Sequence, residues 1–127
     1  LCLIAKEGAK DFFKDDPPDY SSLHDHHIFP QSKSKQYNAS KDEINSVFNR
    51  TLIFEQTNIK ISNKDPKDYL KEIMRDQKID ETEMRQRLAT HFISDQAFDC
   101  MKNNDFSGFL TARKKTIMNK VSDVLKF

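Results

Sequence analysis

Three of the four histidines and an aspartate occupy four consecutive positions, His24, Asp25, His26 and His27, directly ahead of the apolar pair Ile28 and Phe29 and of Pro30. With Pro17 and Pro18 upstream, Pro30 bars a continuous helix across 14–30. In an extended segment alternate side chains share a face, so His24 and His26 point one way while Asp25 and His27 point the other. The neighbours His26 and His27 therefore need two different roles unless the strand bends. A metal ligand beside a general base is one such pair of roles; a polar surface patch is the bland alternative for a histidine cluster taken alone.

The flanks predict an α+β chain that is mainly helical. Leu3, Ile4, Ala5, Ala9, Phe12 and Phe13 recur at helical intervals, whereas 45–54 is rich in β-branched and aromatic residues, with a short apolar strand at 52–54. From Pro66, placed for a first helical turn, the pattern is helical to the end, with Tyr69, Leu70, Ile73 and Met74 as the first stripe. Asp80 followed by Glu83 predicts a capped helix with Met84, Leu88 and Phe92 on its inner face. Ser94 caps the next, carrying Ala97, Phe98 and Met101. Ser107 starts the last, with a long seam of Phe109, Leu110, Ile117, Val121 and Leu125.

A chain of 127 residues suits one domain that needs no covalent staple. Cys2 and Cys100 stand far apart and form no CxxC pair, which points to a reducing, cytoplasmic setting. The apolar start at 1–5 is too short to span a membrane, and no membrane association is expected. Beginning at Leu1 within a helical pattern, the chain reads as the C-terminal piece of a longer protein. A formal charge of +1 excludes a strongly basic nucleic-acid binder, so only local clusters count: Lys33, Lys35, Lys60 and Lys64 around the histidines, and Arg113, Lys114 and Lys115 near the end.

The stretch LHDHHIFPQS, followed by NSVFNRTLIFEQTN, carries three parts in order: a His-His pair before an apolar pair and proline, a central asparagine, Asn49, opening a strand, and Asn58 nine positions on. In these residues the chain resembles the HNH (ββα-metal) nucleases. NKDPKDYL, HFI and the spacing of Phe109, Leu110 and Arg113 extend the likeness toward the C-terminal HNH domains of GmrSD-type modification-dependent restriction enzymes and related phage-defence proteins. The resemblance implies one HNH nuclease domain over 1–127, with the ββα-metal core at about 22–64 and helices at about 66–127. It further implies DNA as substrate and an N-terminal ParB-like nucleotidase domain in the full-length protein. Where the zinc-stapled branch of the family has cysteines this chain has Phe54 and Thr57, so no structural zinc is expected, and packing through Phe48, Phe54, Tyr69 and Leu70 must hold the site.

Carried over residue by residue, the likeness makes His27 the general base, His26 and Asn58 the ligands of one divalent metal ion, and Asn49 the residue that fixes the strand and loop and orients His27. Asp25 is the alternative ligand if the strand bends, and His24 a partner behind the ligands. Two neutral donors, one of them nitrogen, favour Mn²⁺, Co²⁺ or Ni²⁺ over Mg²⁺. Lys60, Lys64 and Arg113 are candidate phosphate contacts, Arg113 being otherwise a solvated residue. His91 reads as a packing or surface histidine. A silent DNA-binding module and an HNH-type RNase or toxin nuclease are the competing functions.

Overall fold

A computed structural model describes Phe12 and residues 23–125. Strand β1 (Leu23–His27) pairs antiparallel with β2 (Arg50–Phe54), His26 opposite Thr51 and His27 opposite Arg50. Between them lie a 3-10 turn at Gln31–Lys33, the short helix α1 (Lys41–Ile44) and a second 3-10 turn at Val47–Asn49. Helix α2 (Glu55–Ile61) follows β2 without a break and packs across both strands. Four helices complete the fold: α3 (Pro66–Gln77), α4 (Glu81–Ala89), α5 (Asp95–Lys102) and α6 (Phe106–Val124). The described chain is thus mainly helical with one small antiparallel sheet, as the α+β reading expects. None of its described helices is long and apolar enough to cross a membrane.

Local chemistry explains the element boundaries. Ser40 and Glu43 form a reciprocal capping box on α1, and the side chains of Asp80, Ser94 and Asp105 accept from the backbone N–H groups three residues on, Glu83, Ala97 and Gly108. Pro66 stands in the first turn of α3, where its missing N–H costs no helical bond. Asp65, ahead of it, turns its carboxylate away from the helix to accept from the Tyr37 hydroxyl and from Lys33 at 3.3 Å. That contact pins the loop after β1 to α3. Gly108 is required by a close approach: a Cβ there would stand 2.9 Å from Cys100 Sγ on α5 and closer still to the capping Asp105.

Three expectations need correction. Helix α4 stops at Ala89, so Phe92 is not on its inner face; it sits in a left-handed turn at φ 60°, and the buried position passes to Ile93. The last helix is capped by Asp105, not Ser107, because it starts at Phe106 and the Asp105 carboxylate accepts from the free Gly108 N–H. Its apolar seam is buried only at Phe106, Phe109 and Ala112; Ile117 and Val121 are half-buried and Leu125 is 63% exposed, since the helix runs on past the core. The helical pattern expected at the start of the chain lies outside the described residues except for Phe12, as does the side chain of Phe54. Tyr69 and Leu70 are in the core as expected, and Phe48 is half-buried.

Arg113 is the largest departure. It is neither solvated nor placed to meet a phosphate: it is 0% exposed, with its guanidinium directed at three backbone carbonyls. Nη1 donates to Phe48 O at 3.0 Å and Arg50 O at 2.7 Å, and Nε and Nη2 donate to His91 O at 3.3 and 3.0 Å. Burial lowers its pKa to about 9. A second buried guanidinium, Arg87, donates to the Phe12 backbone carbonyl at 2.8 Å and ties that residue to α4. Replacing Arg113 with methionine keeps most of the volume but strands the three carbonyls, so urea unfolding should show a loss of about 3 kcal/mol or more. A loss within about 0.5 kcal/mol, the usual range of a surface change, would show that this clamp does not hold the fold.

Candidate functional site

The loop that leaves β1 and the turn that enters β2 are joined through one side chain. Asn49, fully buried, accepts from Phe29 N–H at 2.9 Å through Oδ1 and donates through Nδ2 to Phe29 O at 3.0 Å and Ile44 O at 2.8 Å. Its own carbonyl accepts from Ile28 N–H at 2.8 Å. Tyr69 on α3 donates its hydroxyl to Ile28 O at 2.8 Å. Asn49 thus ties the loop after β1 to the turn before β2. It does not hold the His27 ring: the imidazole Nε2 lies 2.9 Å from Asn45 Oδ1.

Because α2 begins directly after β2 and lies across the sheet, its first turn brings Asn58 over β1. Thr57 and Ile61 are buried, whereas Asn58 Oδ1 stands 3.0 Å from His26 Nδ1. His26 itself is 3% exposed, with the Phe12 and Tyr69 rings set edgewise at 5.8 and 5.9 Å. Burial in this aromatic setting lowers its pKa to about 4, against the raising effect of Asn58 and together with the positive charges that His27 and Arg113 contribute. At neutral pH the imidazole is uncharged, as a metal ligand requires.

The fit to a metal follows from the two tautomers. With the proton on Nδ1, His26 donates to Asn58 and leaves a buried Nε2 lone pair with no partner. With the proton on Nε2, that buried N–H finds no acceptor among the described residues, and two lone pairs oppose each other across 3.0 Å. A cation between Nδ1 and Oδ1 relieves that opposition, and 3.0 Å is about the separation of two adjacent ligands each ~2.1 Å from an ion. Protein donors are few, since the described residues contain no group of three or more His, Cys, Asp or Glu that would hold a metal. Water and substrate oxygens would have to fill the remaining positions.

Both residues open into a cleft of about 420 Å³. It is lined by Asp25, His26, His27 and Asn58 together with Pro30, Gln31, Ile59, Ser62 and Asn63. Among the described residues no lysine or arginine lines it. Asp25, the alternative ligand, is engaged on both carboxylate oxygens by Arg50, at 3.0 Å through Nε and through Nη2, so His26 has the better claim. His24 faces Ile53 in the strand register, and its side chain is outside the described residues. Lys60 and Lys64 reach toward α3, to Asp76 at 3.6 Å and Glu72 at 2.6 Å, and neither enters the cleft. His91 is a packing residue, 0% exposed, with Nδ1 2.6 Å from Thr51 Oγ1. Asn45 went unnoticed in the sequence because an asparagine before a serine in a turn region carries no signal of its own.

No family model matches the chain, and no solved structure matches it. Over 141 aligned residues it is 35% identical to an uncharacterized protein of Methanocaldococcus jannaschii, in a match that takes in 97% of this chain and 24% of that protein. The chain thus spans about a quarter of the length of this relative.

The low pKa of His26 has a measurable consequence. The unfolded chain takes up this proton near the ordinary value of 6.5 and the folded chain only near 4, so the stability contributed is complete above pH 6.5 and declines as the pH falls. At the lower end the loss amounts to roughly 3 kcal/mol. Denaturant melts between pH 7 and 4 should therefore be steeper in pH for the wild type than for His26→Gln, which cannot titrate; parallel curves would show that His26 is not held neutral.

Proposed function

We propose that this chain is an HNH-type, metal-dependent endonuclease domain that hydrolyses phosphodiester bonds in DNA and serves in restriction or phage defence. The observation that carries this reading is the junction of β1, β2 and α2, which sets the His26 and Asn58 donors 3.0 Å apart and His27 beside them in one open cleft. The order of strand, strand and helix, with a buried asparagine tying the connecting loop, supports it further. We place the domain in a longer protein behind a ParB-like nucleotidase domain. The archaeal relative, which extends well beyond the matched segment, is compatible with such a layout.

His26 and Asn58 would hold one divalent ion, which when bound stabilises charge on a phosphate oxygen and on the departing oxygen. Two neutral donors make this a weak site for Mg²⁺ and a better one for Mn²⁺, Co²⁺ or Ni²⁺. His27 takes a proton from the attacking water. Because its Nε2 is engaged by Asn45, the acceptor is Nδ1, and an Asn45 Oδ1 that accepts from Nε2–H selects the tautomer with Nδ1 unprotonated. The water oxygen bonds to phosphorus, the bond from phosphorus to the 3′ oxygen breaks, and that oxygen takes a proton from solvent. Asn49 touches no reacting atom; it keeps β1, with both histidines, in register with the turn that bears Asn45.

Nicking of supercoiled plasmid tests this reading. Cleavage should require a divalent ion, stop with EDTA, and proceed better with Mn²⁺ than with Mg²⁺ at equal low micromolar concentration. His27→Ala should lower the rate by about 10² to 10⁴ and Asn45→Ala by about 10- to 100-fold, the first as the base and the second as its orienting partner. Wild-type cleavage by His27→Ala would remove the base assignment. DNA that is bound yet uncut with every metal would leave a binding module in place of a nuclease.

A further inference from the structure

Beyond the histidines, Asp25 and Asn58, the cleft lining has a composition that phosphate binding does not explain. Nucleic-acid backbones are gripped mainly by lysine and arginine, yet among the described residues no cationic side chain lines this cleft, and the nearby Lys60 and Lys64 are drawn off to acids on α3. In their place stand two amides, Gln31 and Asn63, one hydroxyl, Ser62, and one aliphatic side chain, Ile59. All four are solvent-exposed.

Ile59 has no packing role that accounts for it. Helix α2 buries Thr57 and Ile61, while Ile59 is 67% exposed, more than any other large hydrophobic residue described, and it is the one among those exposed residues that lines this cleft. A β-branched residue is also a poor choice for an exposed helical position. Its neighbour in sequence is Asn58, so an apolar surface sits one residue from the candidate ligand pair. Ser62 holds a left-handed conformation at φ 50°, unusual for a residue other than glycine, with its N–H on Asn58 O at 2.9 Å. That turn is what folds Asn63 back to the cleft rather than onward from the helix end.

We propose that Gln31, Ile59, Ser62 and Asn63 form a nucleoside subsite, which seats the sugar and base next to the scissile phosphate. Ile59 covers the apolar face of the sugar or base, a surface that a phosphate cannot offer, and the amides and hydroxyl meet hydrogen-bonding groups on the sugar and base edge. The charge of the phosphate is left to the ion that His26 and Asn58 would hold. This assignment rests on the nuclease reading and adds to it that the cleft recognises a nucleoside, so that phosphodiesters lacking one are poor substrates.

The test compares two esters with one leaving group, with Mn²⁺ present: thymidine 5′-(p-nitrophenyl phosphate), or its 3′ isomer, and methyl p-nitrophenyl phosphate. The wild type should prefer the better of the nucleoside esters by about tenfold or more in kcat/KM, the scale expected from covering one aliphatic side chain. Ile59→Ser should cut that preference at least severalfold, and Asn63→Ala should reduce it, while Met118→Ser, a substitution of another exposed apolar residue outside the cleft, should keep it. A ratio measured within one preparation does not change with the fraction unfolded. Hydrolysis of both esters without preference, or a preference unchanged in Ile59→Ser, overturns the subsite and leaves the nuclease standing. Hydrolysis of neither ester by a preparation that nicks plasmid overturns the subsite and leaves the nuclease standing, whereas hydrolysis of neither ester together with no nicking overturns both.

Discussion

A buried guanidinium with no carboxylate among its hydrogen-bond partners sets the terms for the site end of this fold. Arg113 can be buried only if the backbone supplies acceptors, and it finds them on the two residues that flank Asn49, Phe48 and Arg50, and on His91. The stretch at 48–50 is thereby fixed to α6 from behind, while the Asn49 side chain fixes it to the loop after β1 from in front. An unpaired buried charge costs several kcal/mol, so this junction has one satisfied arrangement and few alternatives near it. The small sheet, too short to be stable alone, is held by these contacts and by α2.

The pleat then divides two adjacent histidines between two environments. His26 faces the core, where Phe12 and Tyr69 exclude water and burial keeps it neutral. His27 faces the cleft, partly exposed, with one nitrogen on Asn45. Two imidazoles one residue apart thus come to differ in charge preference and access, which is the condition for one to be a ligand and the other a base. The same alternation puts Asp25 on the face of His27, where Arg50 on the partner strand engages it. A hard anionic oxygen is thereby kept from the His26 and Asn58 pair, and the metal preference of the proposed site follows from that neutral donor set.

Much of the site was legible in the chain because it depends on local spacing. A histidine pair before Ile28, Phe29 and Pro30 marks a strand end, and Asn49 and Asn58 stand one strand apart. Asn45 was not legible: its approach to His27 depends on how the 28–49 loop closes, and closure is set by Asn49, Tyr69 and the Asp65 contact with Tyr37. Arg113 misled for a related reason. Next to Lys114 and Lys115 it reads as part of a basic face, and the helical period cannot show that this one position points at three carbonyls from residues far away in sequence. The end of α4 at Ala89 came from a left-handed turn at Phe92, an aromatic residue whose type gives no warning of it.

By itself the sequence determined the helices that start at Pro66, after Asp80 and after Ser94, since proline position and the reach of a capping side chain act within a few residues. It also determined which donors are available, three histidines, Asp25 and two asparagines, and hence what class of chemistry they suit. Tertiary structure alone decided which histidine is buried, which asparagine touches which ring, and that Arg113 is structural. Those outcomes depend on desolvation and on hydrogen-bond partners brought from 18 to 65 residues away, and neither is a function of local sequence.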